Sequence, residues 1–174
     1  MERGRWIARE IRAEFGESTP SGIARSLGLR ILERTGEGEY GGTLFACYDE
    51  SDSITVFRDK AEAADRLISE EGLGDLLGEA SVTEVLIAHE LFHFLDRSRP
   101  DPESPLVLPG RLGPFRKRRP LRALEEIAAM EFARKLVQLP CPAWVFSVVL
   151  LYPADPRGAV ALCRAIPGTA PRCP

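Results

Sequence analysis

The sequence predicts a mostly helical α+β domain with a small sheet of about three strands, antiparallel or mixed. Three observations predict it. Segments with apolar residues at helical spacing and no internal breaker recur along most of the chain. Short runs rich in β-branched and aromatic residues gather between Leu29 and Phe57. A length of 174 residues suits one core rather than two, so residues 1–174 read as a single domain. Its core is expected over roughly residues 5–140, followed by packing helices within 141–166 and a frayed tail.

Ile7, Ile11 and Phe15 form one stripe of a first helix starting near Arg5 and ended by Gly16. Thr19-Pro20 reads as an N-cap with proline at the first helical position, opening a short helix that stops at Gly28. Residues 29–33, 43–48 and 54–57 read as strands. A glycine-rich link (36–42) separates the first two, and a polar turn (49–52) the last two. A polar helix covers 60–71. Residues 81–95 then form a helix with no proline or glycine and bulky apolar residues on nearly every side, which marks it as buried. Residues 97–120, broken by prolines and glycines, read as one long loop. A second strong helix spans 121–139 and stops at Pro140. Residues 144–151 and 157–165 read as short packing helices.

Composition excludes several classes of function. The net charge is −3, with 44% hydrophobic and 28% charged residues, so no basic surplus asks for nucleic acid. The run Arg116-Lys117-Arg118-Arg119 has only Phe115 beside it and reads as a solvated charge cluster. The start is a mixed-charge helix rather than an export signal, and the longest apolar run, 144–152, is far below the ~20 residues of a membrane span. Cys47, Cys141, Cys163 and Cys173 show no C-x-x-C pairing and are expected as free thiols of a cytoplasmic protein. No nucleic-acid or membrane partner is expected.

The chain has only two histidines, and they fall within one pentapeptide, His89-Glu90-Leu91-Phe92-His93. Residues at i and i+4 share a helix face, so both imidazoles can reach one ion, while Glu90 is offset toward a water beside it. This is the H-E-x-x-H arrangement of zinc-dependent peptide hydrolysis, on an active-site helix of zincin type. Chance would produce it in roughly one such chain in a thousand, which favours a metal site over a pair of core histidines. A catalytic zinc normally takes a third protein ligand. No third histidine exists, since Asp96 and Arg99 stand where a downstream glycine and histidine would fall. The candidates are Glu125 and Glu126, both read as lying on the apolar side of the second strong helix, with periodicity favouring Glu125. Cys47 is a weaker candidate. An extended peptide is expected to add to a sheet edge, at residues 54–57. Tyr48 and Tyr40 are candidate oxyanion donors.

Three segments together resemble the ImmA/IrrE family of zinc metallopeptidases, over roughly residues 5–140. They are Pro20-Ser21-Gly22-Ile23-Ala24-Arg25-Ser26-Leu27-Gly28-Leu29, then Ala88-His89-Glu90-Leu91-Phe92-His93, then Glu126-Ile127-Ala128-Ala129-Met130-Glu131-Phe132-Ala133, similar to the family's E-x-x-A-N-x-F-A run. The resemblance implies that His89, His93 and Glu126 hold Zn2+ and that Glu90 is the general base. It further implies a protein or peptide substrate, a helix-turn-helix repressor in characterised relatives. The chain departs from the pattern at Phe92, where a small residue is usual, at Met130 in place of asparagine, and by one extra residue before Leu139-Pro140. The alternative is a non-catalytic, metal-stabilised interaction module of the same fold, with Phe92 filling space near the site.

Overall fold

The computed structural model describes residues 2–36, 44–99, 107–108, 119–120 and 122–165. Among them a small three-stranded sheet is packed beside a largely helical body, the mostly helical α+β architecture expected. Helix α1 (Glu2–Phe15) buries Ile7 and Ile11 of the expected stripe, with Phe15 half-buried, and turns Ala8 inward as well. It begins earlier than the stripe suggests, because Arg3 and Gly4 are buried too. Gly4 lets α1 lie directly on a later helix: a Cβ at this position would run into the Ala128 carbonyl oxygen and sit 2.9 Å from the Phe132 nitrogen. Helix α2 (Pro20–Ser26) is capped by Thr19, whose Oγ1 accepts from the Gly22 N–H at 3.2 Å.

Strands β1 (Arg30–Arg34), β2 (Ala46–Asp49) and β3 (Ser53–Phe57) form a sheet in the order β1-β3-β2. β1 runs parallel to β3, from Arg30 opposite Ser53 to Arg34 opposite Phe57, and β2 runs antiparallel to it, with Ala46 opposite Val56. The sheet is therefore mixed. This corrects the expectation that residues 54–57 form an edge. β3 is the central strand, with Ser53, Ile54, Thr55 and Val56 all buried. The β-branched run that made it legible as a strand marks burial on both faces, and a strand so placed has no open side. β2 is the edge on the side of the histidine helix.

Helix α3 (Arg58–Glu70) and a 3-10 turn (Gly74–Leu76) lead to α4 (Val82–Ser98), the histidine helix. The start of α4 is fixed twice: the Ser81 hydroxyl accepts from the Glu84 N–H at 3.2 Å, and Asp65 of α3 accepts from the Val82 N–H. Glu84 in turn takes the Ser21 N–H at 2.9 Å and the Ser21 hydroxyl at 2.6 Å, placing a negative charge at the start of α2. Residues 97–120 are not one uninterrupted loop. Arg97 and Ser98 continue α4, while β4 (Val107–Leu108) pairs antiparallel with β5 (Arg119–Pro120). Beyond Arg99 the rest of that stretch, with Arg116 to Arg118, lies outside the described residues, as do Tyr40, Cys173 and the expected tail.

Helix α5 (Arg122–Leu136) ends before residue 139 because Gln138 takes a left-handed φ of 57°. Helices α6 (Ala143–Leu151) and α7 (Pro156–Ala165) follow, α6 burying Phe146, Val149 and Leu150. The core gathers around α4, where Leu91, Phe92 and Leu95 are fully buried together with Phe132 of α5. Each such side chain contributes about 1.5–3 kcal/mol of hydrophobic stabilisation. No described helix is long and apolar enough to cross a membrane.

Candidate metal centre

The apolar pattern of α4 sinks most of its surface and leaves one partly open face, at His89 and His93. Their side chains are 17% and 23% exposed, with ring centroids 5.2 Å apart. Glu126 on α5 meets both. Its Oε2 lies 3.1 Å from His89 Nε2 and its Oε1 3.6 Å from His93 Nε2. These two nitrogens and the carboxylate are the one set of donor atoms, among the described residues, that come within 4.8 Å of one another. Glu125 and Cys47 fall outside it. Ligands about 2.0–2.1 Å from a tetrahedral ion stand roughly 3.4 Å apart, and the two separations from Glu126 lie on either side of that value.

The expectation that Glu126 lies on the apolar side of its helix is corrected, since its side chain is 57% exposed. Its carboxylate reaches the imidazoles from the solvent-facing flank. A search for costly buried carboxylates therefore points past it, to half-buried Glu125. Burial lowers the His93 pKa, with His89 adding to the effect and Glu126 opposing it, which favours the neutral imidazole that binds metal. His89 uses its ring nitrogens unequally: Nε2 faces Glu126, whereas Nδ1 is buried with no hydrogen-bond partner among the described residues.

Glu90 points elsewhere. It is buried, and its Oε2 accepts the Tyr48 main-chain N–H at 2.8 Å. Phe57 donates to the Phe45 carbonyl at 3.0 Å, so residues 45, 47 and 49 face β3 while Ala46 and Tyr48 turn their main-chain groups to the open side. Glu90 thus holds an outward amide of the edge strand. Burial pushes its carboxyl pKa above the ordinary range; His89 and the Tyr48 amide pull the other way. Tyr48, a candidate through its hydroxyl, touches the site through its amide, and its ring packs edge-on against Phe94 at 5.9 Å. Phe92 is fully buried, its ring 5.9 Å from that of His93 and 5.7 Å from that of Phe132.

Two arginines that sequence reasoning passed over clamp the donor-bearing helices onto α1. Arg3, 4% exposed, donates to Asp96 Oδ1 at 2.7 Å and to the Arg99 carbonyl at 2.6 Å, fixing the end of α4. Arg5 donates to Glu131 Oε1 at 2.6 Å, fixing α5, and Arg134 completes that cluster at 3.0 Å. The only signal was an arginine at each of two alternate positions of an otherwise ordinary charged start.

No family model, curated protein or solved structure matches the chain.

Proposed function

We propose that the protein is a zinc metallopeptidase that hydrolyses peptide bonds, with His89, His93 and Glu126 as the metal's ligands and Glu90 as general base. One observation carries this reading: a carboxylate from a separate helix converges on both Nε2 atoms, while the acid between the histidines is held apart from them at the rim of the sheet. When bound, zinc supplies Lewis acidity, polarising a carbonyl and lowering the pKa of water toward neutrality. Glu90 takes a proton from the attacking water and delivers it to the leaving amine. A carboxyl pKa raised by burial suits a group that must gain and then give up that proton. The outward main-chain groups of Ala46 and the Tyr48 carbonyl offer an extended substrate hydrogen bonds along β2.

The resemblance to the ImmA/IrrE family makes a helix-turn-helix repressor the proposed substrate, and the cytoplasm the proposed compartment. The free thiols of Cys47 and Cys141 accord with a reducing environment. In the rival reading, a metal-stabilised interaction module, Phe92 fills space near the site, its ring 5.9 Å from that of His93, and the same Glu90 variant separates the two. The test is Glu90→Gln. The variant should keep its zinc and lose peptide hydrolysis by about a thousandfold or more, the upper part of what a general base contributes. Undiminished turnover would remove Glu90 from the mechanism.

A further inference from the structure

The cleft in front of the donors differs from end to end. Val85 on α4 stands one turn before His89, and Met130 on α5 one turn after Glu126, so both open on the same space as the donors. α6 closes that space with Phe146, Leu150 and half-buried Ser147, whose hydroxyl lies 4.0 Å from the Met130 sulfur. The cleft measures about 380 Å³. Apart from the histidines and glutamates of the site itself, no charged side chain among the described residues lines it. An acidic substrate side chain would be desolvated there beside Glu90 and Glu126 without a partner, whereas an apolar one would gain the free energy of burial.

Resting on the peptidase reading, we propose that this cleft is a specificity subsite. It takes a bulky aliphatic or aromatic side chain next to the scissile bond, with α6 as the element that sets the preference. Met130 belongs to the same device, an apolar wall four residues after the third donor.

The experiment measures calorimetric binding of N-acetyl hydroxamates of leucine, phenylalanine, alanine and aspartate to the zinc-loaded protein. Leucine and phenylalanine should bind about tenfold or more tighter than alanine and aspartate, the range that one or two extra methylenes give in an apolar pocket. Ser147→Trp, which fills the subsite from its rim, should erase that advantage while zinc stoichiometry stays unchanged. Met130→Asn, a smaller change, should reduce the advantage several-fold. Equal affinities across the four ligands, an order led by aspartate, or an advantage that survives in both variants would overturn the subsite. Cleavage of a peptide mixture separates this result from the parent reading. Hydrolysis without side-chain preference sinks the subsite alone, and ordered hydroxamate binding without any hydrolysis sinks the peptidase reading alone.

Discussion

Glu126 shows how far single residues were legible. The spacing of His89 and His93 placed both imidazoles at once, because four residues on a helix bring two side chains to one point. The third donor had no such local rule. Periodicity pointed to Glu125, and resemblance to Glu126; the side chain that meets both imidazoles is Glu126. The periodicity argument favoured the more buried carboxylate, whereas the one that faces the imidazoles is 57% exposed. Glu126→Ala should therefore weaken zinc binding by at least about 100-fold, since even outer partners of a metal site are worth 10–100-fold. Glu125→Ala should change it by less than about threefold. Competition titration against a chromophoric chelator distinguishes them, and equal losses would return the third position to Glu125.

Among the elements, helices were read better than the sheet. Caps and breakers are local chemistry, so Thr19-Pro20 marked the start of α2 directly. Strand order depends on partners distant in sequence, and no run of β-branched residues says whether its neighbours lie on one side or two. The start of α1 was hidden for a related reason. Gly4 weakens a helix taken alone, and its value appears only against the backbone of α5. Substituting Gly4→Ala should accordingly destabilise the protein by about 1–3 kcal/mol, despite alanine's better helix propensity. A lower urea midpoint at unchanged slope verifies it. A gain in stability would mean that α1 does not pack against α5 as described.

For the molecule as a whole, α1 holds the donor helices together through Arg3 and Arg5, and that linkage carries a pH signature. Hydrogen bonding from Arg134, with a further contribution from Arg5, lowers the Glu131 pKa from 4.5 to about 2. The folded value lies below the unfolded one, so this carboxylate contributes stability above pH 4.5. That contribution is lost as the pH falls from 4.5 toward 2. The full difference corresponds to roughly 3 kcal/mol. Glu131→Gln should flatten the acid limb of the stability curve over that window, with Arg134→Leu acting in the same direction. An unchanged curve in Glu131→Gln would show that the cluster does not govern acid stability. None of this was legible beforehand, because the ion pair between Arg5 of α1 and Glu131 of α5 joins residues 126 positions apart. The fold class was legible, since it needs only the type and number of elements.

The central claim is that two imidazoles and one carboxylate close around a single ion. Anomalous diffraction at the zinc edge, from crystals grown with zinc, addresses it most directly. The expected result is one strong peak about 2.0–2.2 Å from His89 Nε2, His93 Nε2 and a carboxylate oxygen of Glu126. A map with no peak there, or a zinc ion held by other side chains while these three stay apart, would contradict it.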